Sequence, residues 1–432
     1  MKIPTFLMKM PAVNKYLVPA IAESFGFVEW LQSGVRHTPL SPAVHQDPYP
    51  QYDRLREKDP VHWSPLLVGW VLTRYEDIDN VLRDWKRFES SDEAVGRFEP
   101  EFRPFQEDPL PMLFANPPDH TRLRGLVAQA FTPRSIEAMR PRIREIVDEL
   151  LDDMDVSEPV DIIDTFAYPL PVIVIAEMLG IPSEDRVKFR EWSSSIARIL
   201  EPTTTTELFY EAAASGEELR LYFKDLIAQR RLSPGEDLMS VMLAAEEDGE
   251  SLTEEELLVA MRLLLVAGNE TTTNLIANGL LALLEDPDSL NELQQNRNLI
   301  SPAVDELLRF DSPVQIDRRT ALEDVVIGGK TIKKGQPLLL LLGAANRDPE
   351  QFLDPDNLNF NRSETSHIAF GRGIHHCLGA PLARVEAMVA FEALLDRYEE
   401  IELQGKRPKF KDHAVLRGMY EMPVRLGTKQ SV

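Results

Sequence analysis

The stretch FGRGIHHCLGAPLAR, residues 370–384, contains the only cysteine of the 432-residue chain, Cys377. Glycines lie six and four positions before this cysteine and two positions after it. Glycine adopts left-handed backbone conformations without steric cost, so the segment is typical of a tight turn. The sequence after Leu378 predicts a helix, whose N-terminal end carries a partial positive charge that favours a thiolate. We therefore expect Cys377 in a tight turn directly before a helix.

A single cysteine in this setting has four possible roles. A nucleophilic thiol needs a base, and His375 and His376 are close in sequence, but such neighbours rarely have the geometry of a nucleophile and its base. A zinc site needs more ligands at recognised spacing than His367 and these two histidines provide. A buried inert thiol is the ordinary fate of a lone cysteine. A thiolate bound to haem iron explains the neighbours best, because N–H groups of the turn can point at the sulfur and Gly379 leaves room for a flat macrocycle.

The composition limits the possible partners and the location. The chain has 47 lysines and arginines against 71 aspartates and glutamates, a net charge of −24, so we expect no nucleic-acid partner. A single cysteine excludes an intramolecular disulfide and is typical of a reducing compartment, so we predict a cytoplasmic protein, and we expect a monomer. No stretch reaches the roughly 18 uninterrupted apolar residues of a membrane-spanning segment.

The first 44 residues are predicted to be an N-terminal extension, and residues 45–432 a single domain, because no linker rich in proline, glycine or serine divides the chain. The extension is apolar but interrupted by lysine, glutamate and proline, and it lacks the compact apolar run and cleavage site of a secretory signal. We expect it to pack on the main domain, and weak contact with a membrane interface is the alternative.

Hydrophobic periodicity predicts a mainly α fold with a smaller β portion. Helical patterns dominate from about 135 to 290, whereas extended, turn-punctuated sequence occurs at 68–75 and 313–342. The longest helix should run from Thr253 to Leu284. Ser251 and Thr253 each precede a glutamate by three residues, which is typical of a helix start, and Glu-Asp-Pro at 285–287 ends the pattern.

The middle of this predicted helix, AGNETTT at 267–273, is unfavourable for a helix. Gly268 costs about 1 kcal/mol relative to alanine, and three β-branched threonines add to that. Glu270 in a buried helix needs a partner or a proton. One interpretation is a packing glycine with threonine hydroxyls bonded to carbonyls one turn earlier. The other is a helix widened to hold a small ligand and water, where Glu270 and a threonine hydroxyl move protons.

Six arginines between residues 120 and 144 form a basic cluster in this acidic chain, with Glu137 as the one acidic residue among them. The cluster predicts a docking face for an acidic partner or ligand, with an ordinary solvated helix face as the alternative. Its members are Arg122, Arg124, Arg134, Arg140, Arg142 and Arg144.

The stretch at 370–384 resembles the haem-binding signature of the cytochrome P450 family, Phe-x-x-Gly-x-His/Arg-x-Cys-x-Gly. Other segments are similar to the family and follow in its order: NPPDHTRLRGLVAQAFTPR from 116, AGNETT from 267, Glu306-x-x-Arg309, and RTALEDVVIGG from 319. The similarity covers roughly residues 45–425 and resembles the soluble bacterial branch more than the membrane-anchored one. It implies the cytochrome P450 fold, a single large domain whose long central helix lies over a haem b cofactor.

The resemblance implies a role for each residue that matches a family motif. Cys377 would be the axial ligand of the iron. Glu270 and Thr271 match the acid and alcohol that help deliver protons when dioxygen is activated, whereas relatives that use hydrogen peroxide typically carry Arg-Pro there. Four residues would meet the haem propionates: His120, Arg124, Arg319 and His375. The other cofactor-binding residues would be Ala267, Gly268, Phe370, Gly371 and Gly379.

Glu306 and Arg309 resemble the Glu-x-x-Arg pair that braces the cysteine loop in the family. An arginine or histidine from a later loop usually completes that network. The corresponding stretch here is DPDNLNFNR, residues 354–362, with Asn357 where this third member is expected. An amide cannot supply the same charge, so we expect either a third member from elsewhere or a weaker brace.

The resemblance implies a haem-thiolate monooxygenase that inserts one atom of O2 into an apolar small molecule. Electrons would come from a ferredoxin or flavodoxin that docks on the cysteine side of the haem, near the helix that carries Arg122 and Arg124. A peroxide-driven peroxygenase and a non-catalytic haem-thiolate sensor are the alternatives. A lipid, steroid, terpene or polyketide would suit the apolar specificity regions. These regions include Phe98, Phe102, Phe105, Leu110, Met112, Leu113, Phe114, residues 185–215, Val314, Val415 and Leu416.

Overall fold

The structure is a computed structural model that describes residue 30 and residues 33–90, 109–129, 131–198, 206–245 and 251–428. The predicted fold class, mainly α with a smaller β portion in a single domain, is confirmed. Most of the predicted N-terminal extension lies outside the described residues, as do Phe98, Phe102 and Phe105. The domain boundary at residue 44 stays a prediction.

The α-helices are α1 (Pro42–Gln46), α2 (Tyr49–Lys58), α3 (Tyr75–Arg83), α4 (Asp119–Ala128), α5 (Pro133–Asp152), α6 (Pro169–Met178), α7 (Arg186–Ala197), α8 (Thr206–Leu232), α9 (Leu238–Ala244), α10 (Glu254–Glu285), α11 (Pro287–Gln295), α12 (Ile300–Phe310), α13 (Leu342–Ala345) and α14 (Ala380–Arg397). The strands are β1 (Val61–Ser64), β2 (Gly69–Leu72), β3 (Phe88–Glu89), β4 (Val160–Asp161), β5 (Ile316–Ala321), β6 (Val325–Ile327), β7 (Lys330–Ile332), β8 (Pro337–Leu341), β9 (Tyr398–Leu403) and β10 (Pro423–Thr428).

Helix α10 crosses the largest apolar core and packs against α6, α7, α12 and α14. Thr253 Oγ1 accepts the Glu256 N–H at 3.2 Å, and the Glu256 carboxylate accepts the Thr253 N–H at 2.9 Å. This reciprocal capping box sets the start of the helix. The predicted span agrees with the observed one to within one residue at each end. Its 32 residues give a length of about 48 Å at about 1.5 Å per residue, so α10 can carry a site far from the surface.

Three sheets accompany the helices. The largest has the strand order β1-β2-β8-β5-β3, with β2 and β8 parallel and its other neighbours antiparallel. A second sheet has the order β4-β10-β9, and β6 pairs with β7. The predicted extended segment at 68–75 is shorter than expected, because β2 ends at Leu72 and α3 begins at Tyr75.

The segment after residue 33 packs on the large sheet and on a hairpin near the C-terminus. Val35, Tyr49 and Leu55 form a small core with residues of β2 and β8. The C-terminal hairpin, residues 409–420, is closed by an antiparallel bridge between Phe410 and Met419. Among the described residues, no helix has both the length and the apolar character needed to span a membrane.

Candidate active site

The Cys377 loop is a tight turn that ends where α14 begins. The Cys377 N–H donates to the Phe370 carbonyl at 2.9 Å. Gly371 and Gly373 have φ values of 67° and 69°, in the left-handed region that glycine adopts without strain. A Cβ on Gly373 would overlap the Leu82 carbonyl oxygen, so the end of α3 packs directly on this loop. The predicted turn before a helix is confirmed.

Cys377 is exposed, although the surrounding protein desolvates its thiol. Burial raises the pKa of the thiol, while the N–H groups of Gly379 and Ala380 and the guanidiniums of Arg124 and Arg384 act in the opposite direction. Exposure and burial are compatible if one side of Cys377 faces a recess and the other side faces the N–H groups of Gly379 and Ala380. Hydrogen bonds to the charged form stabilise a thiolate, so the loop is suited to hold a metal ion through sulfur.

No zinc site is formed around this cysteine in the described part of the chain, where no three His, Cys, Asp or Glu side chains are grouped as a metal site requires. His376 is half-buried beside the loop, and its ring centroid lies 6.4 Å from that of Phe370.

Two arginines and two histidines form a largely buried cluster next to the loop: Arg124, Arg319, His120 and His375. We call it the cationic cluster after its two arginines. The His120 and His375 ring centroids are 4.3 Å apart, and His120 Nδ1 and His375 Nε2 are buried without a hydrogen-bond partner among the described residues. Burial lowers the pKa of His375 to about 3, and Arg319, His120 and Arg124 add to that effect. Burial and then Arg124 also lower the pKa of His120.

A buried anion would relieve both the repulsion and the unpartnered nitrogens of this cluster. Arg319 is buried on β5 and donates to Asp317 at 2.9 Å, and Arg124 donates to the His376 carbonyl at 2.6 Å. Carboxylates form strong hydrogen bonds with both guanidinium and imidazole donors. The two propionates of haem are anions of the required kind, so the cluster fits this cofactor.

The middle of α10 is open on one side. Ala267 is exposed and Thr271 half-buried, although most of the surrounding helix is buried. Thr271 Oγ1 donates to the Ala267 carbonyl at 2.7 Å, as the packing interpretation of the threonines expected. The helix is assigned as α-helix from Glu254 to Glu285, and the interpretation of a helix widened for a small ligand and water stays a prediction. A Cβ on Gly268 would contact Ile175 at 4.0 Å, so this glycine is not required by close packing.

Glu270 has the partner that its position requires. Its Oε1 lies 2.8 Å from Nζ of Lys411, a residue of the C-terminal hairpin, and both side chains are largely buried. Lys411 is 141 positions away in sequence, so no local pattern could have predicted the pair. Glu270 and Thr271, the predicted acid and alcohol, are consecutive residues of α10. Glu270 is held in an ion pair with Lys411.

The predicted brace contains the third charged residue that sequence reasoning missed. Glu306 accepts two hydrogen bonds from Arg309 at 2.8 Å, and Arg362 Nε lies 3.2 Å from both Glu306 oxygens. All three side chains are buried. Asn357 contributes only its backbone carbonyl, which accepts from both arginines at 3.2 Å.

The third position was therefore wrongly located at Asn357, and the expectation of a third member from elsewhere is confirmed by Arg362. Arg362 is the last residue of the same stretch, DPDNLNFNR. The loop that contains this stretch folds over Glu306, so the Arg362 side chain contacts the carboxylate. The signal was present in the sequence as an arginine five residues further on.

The role of the basic cluster as a docking face stays a prediction, and the structure shows how its arginines are paired within the chain. Most of its arginines are neutralised by carboxylates of the same chain, some of them distant in sequence. The pairs are Arg122 with Glu256, Arg140 with Glu137, Arg142 with Glu145, Glu149 and Glu177, and Arg144 with Asp148. Arg124 differs, because it lies beside the Cys377 loop.

Comparison with known proteins agrees with this geometry. The family model for cytochrome P450 matches residues 69–424. The chain is 41% identical over 403 residues to the polyketide biosynthesis cytochrome P450 PksS of Bacillus subtilis (strain 168), which covers 90% of this chain and 98% of that protein. It is 40% identical over 408 residues to the vitamin D(3) 25-hydroxylase of Pseudonocardia autotrophica, with 92% and 98% covered.

A solved structure is equally similar. P450BioI in complex with acyl carrier protein ligated to hexadec-9Z-enoic acid has a TM-score of 0.84 and 39% identity, over 89% of this chain and 99% of that one. The similarity thus spans the loop, the cationic cluster, α10 and the brace. With the family model covering most of the chain and relatives this similar over nearly their whole length, the protein belongs to the cytochrome P450 family and is a monooxygenase with a haem b cofactor.

Proposed function

We propose that the protein hydroxylates an apolar, lipid-sized molecule with O2, using Cys377 as the axial ligand of haem iron. The observation that carries this proposal is the exposure of Cys377 in its loop and of Ala267 on the otherwise largely buried α10. Haem, when bound, supplies the oxidising chemistry at its iron. The protein's own part is to hold the cofactor, exclude water and supply protons.

The cationic cluster and the loop would hold the cofactor. His120, His375, Arg124 and Arg319 would donate to the propionates, and Phe370, Gly371 and Gly379 would lie against the cysteine side. Ala267 and Gly268 would lie along the opposite side. A flat ring needs small side chains where backbone approaches it closely, and glycine and alanine meet that need.

Glu270 and Thr271 would supply protons. The Thr271 hydroxyl donates its hydrogen to the Ala267 carbonyl at 2.7 Å, so its oxygen can accept a hydrogen bond from water on the exposed side. Replacing Thr271 by alanine should raise the amount of hydrogen peroxide released per NADPH, whereas serine should retain the wild-type value. Equal peroxide yields in the alanine variant and the wild type would contradict this role.

The substrate is proposed to be apolar because the described residues of the specificity segments are apolar. Val314 and Leu416 form an isolated antiparallel bridge, and Met112 packs against the main core. The similar proteins named above act on, or bind, molecules of this class by their names: polyketide biosynthesis, vitamin D(3) and a ligated hexadecenoic acid.

The test is a titration of the oxidised protein with vitamin D3 and with hexadec-9Z-enoic acid, followed by the Soret band. A saturable spectral shift, and a product heavier by one oxygen atom with NADPH, ferredoxin and ferredoxin reductase, would support the proposal. Glucose is the matched polar control. Product from hydrogen peroxide alone, with none from O2 and electrons, would favour the peroxygenase alternative.

The electron donor is proposed to be an acidic ferredoxin or flavodoxin that docks beside the end of α3. Gly373 of the loop packs on Leu82, and Lys86 is exposed nearby. Arg83 and Arg87 are exposed too, but they pair with Asp79 and Asp84. Lys86→Glu should slow reduction of the haem by ferredoxin and weaken its dependence on ionic strength. Lys333→Glu, an exposed lysine in the turn before β8, is the control. Equal slowing by both changes would refute this docking site. Monomeric state and cytoplasmic location stay predictions.

A further inference from the structure

We propose that Lys411 and His413 of the C-terminal hairpin form the outer end of the proton route to Glu270, with Lys411 as a positioning residue for the carboxylate. This inference rests on the proposed role of Glu270 as the proton-supplying acid. It adds an entry point for protons on the side of the hairpin, remote in sequence from the acid and the alcohol.

The hairpin is fixed against α10, so its side chains meet Glu270 in a defined place. A Cβ on Gly418 would overlap Asn274 Oδ1, which shows how closely the hairpin backbone approaches the helix. One turn further along α10, Asn278 Nδ2 donates to the Arg417 carbonyl at 2.9 Å. The Lys411 N–H donates to the Gly418 carbonyl at 2.8 Å. Lys411 is thus held opposite Gly418, the residue that packs on α10.

The other side of the hairpin is fixed to the segment that contains α1. Gln46 makes two hydrogen bonds with the backbone of Phe410, at 2.9 and 3.0 Å. Arg417 pairs with Asp311 at 2.6 Å and donates to the His45 carbonyl at 3.0 Å. His413 lies between Phe410 and Arg417 in the chain and lines one cavity with Val44 and His45 of α1.

A small, partly open cavity lies at this junction, lined by both apolar and polar side chains. Its volume is ≈ 20 Å³, and a polar cavity larger than about 10–15 Å³ can hold a water molecule. Histidine, glutamine, tyrosine and arginine side chains provide hydrogen-bond partners for water there. The polar lining residues are His37, His45, Gln51, Tyr52, Gln315, His413 and Arg417.

His413 lines this cavity, and Glu270 is one of the charged groups that act on the pKa of His413. Burial lowers the pKa of His413; the Glu270 carboxylate raises it, and Lys411, His45 and Arg198 lower it further. Asp412 faces His45 at 3.5 Å. The lowered pKa favours the neutral His413 ring, and a neutral imidazole can accept a proton on one nitrogen while it releases one from the other.

The Glu270–Lys411 pair has a consequence for proton supply. A carboxylate in an ion pair carries no proton to deliver. In the proposed route, a solvent proton passes through the cavity to His413 and then to Glu270, which becomes neutral, releases Lys411 and passes the proton on towards Thr271. His413 returns to its neutral form, and Lys411 pairs again with the regenerated carboxylate.

The first test concerns the geometry and uses no turnover. The eight histidines are followed by NMR titration in the reduced, carbon-monoxide-bound holoenzyme, with His413→Asn to assign the resonance. Lys411→Met should raise the pKa of His413, and Glu270→Gln should lower it. Lys409→Met is the matched control, because Lys409 is an exposed lysine of the same hairpin. A His413 titration that is unchanged in both Lys411→Met and Glu270→Gln would overturn the inference.

The second test concerns the route and measures hydrogen peroxide formed per NADPH consumed, with hexadec-9Z-enoic acid as the probe and ferredoxin as the donor. Positioned acid and base groups contribute about 10²–10⁴-fold to a proton-dependent step, so Lys411→Met and His413→Asn should raise the ratio of peroxide to other products by about tenfold or more. Lys411→Arg and Lys409→Met should keep the wild-type ratio.

The outcomes separate the inference from the proposed function. If Glu270→Gln leaves the ratio unchanged, the role of Glu270 fails and the inference fails with it. If Glu270→Gln raises the ratio and the Lys411 and His413 variants do not, only the inference is overturned. If Lys411→Met does not fold, His413→Asn decides alone.

Discussion

Replacing Arg362 by leucine should destabilise the protein, because this side chain completes the buried brace. Its Nε donates to both oxygens of Glu306 at 3.2 Å, and its other nitrogens donate to the carbonyls of Leu353, Asp354 and Asn357. Breaking a buried ion pair costs about 3–5 kcal/mol. Since Arg309 still holds Glu306 through two bonds of 2.8 Å, we expect the lower end, about 3 kcal/mol.

The expected shift of the thermal midpoint follows from the size of the protein. Unfolding entropy of about 2.1 cal/mol/K per residue for 432 residues gives about 0.9 kcal/mol/K, so 3 kcal/mol corresponds to a fall of about 3 °C. The midpoint is measured on the holoenzyme by circular dichroism and by loss of the Soret band.

The matched control is Asn357→Ala. Asn357 is exposed and contributes only its backbone carbonyl to the brace, so its replacement should cost less than about 0.5 kcal/mol. Equal midpoints for the Arg362 variant and the wild type, or a larger fall for the Asn357 variant, would refute the assignment of Arg362 as the third member.

Three further predictions concern the ligand, the hairpin and the cationic cluster. Cys377→Ser should abolish the red-shifted Soret band of the reduced, carbon-monoxide-bound protein, and a retained band would exclude Cys377 as the ligand. Gly418→Ala should lower the urea midpoint by an amount equivalent to about 1–3 kcal/mol, because its methyl group overpacks against Asn274; an unchanged midpoint would contradict this packing. The folded-state pKa of His375, about 3, lies below its ordinary value of 6.5, so its contribution to the stability of the haem-free protein is present above pH 6.5 and lost as the pH falls from 6.5 towards 3. His375→Gln should flatten the dependence of the urea midpoint on pH in this window, and an unaltered slope would show that His375 is not the titrating group.

The sequence by itself determined those features in which the interacting groups are close along the chain. The glycines around Cys377 predict the turn, Thr253 and Glu256 predict the start of α10, and the i,i+3 spacing predicts the Glu306–Arg309 pair. The structure has each of them. Spacings of a few residues determine these contacts, because backbone geometry brings such neighbours together whatever the rest of the fold does.

The tertiary structure alone decided the partners that are distant in sequence. It paired Glu270 with Lys411, brought Arg362 back over Glu306, and neutralised Arg122 and Arg142 with carboxylates of other helices. Residue type shows that a buried charge needs a partner, but not which partner it finds. That choice depends on where the packing of α10, the loop before Arg362 and the C-terminal hairpin places each backbone, which no local spacing encodes.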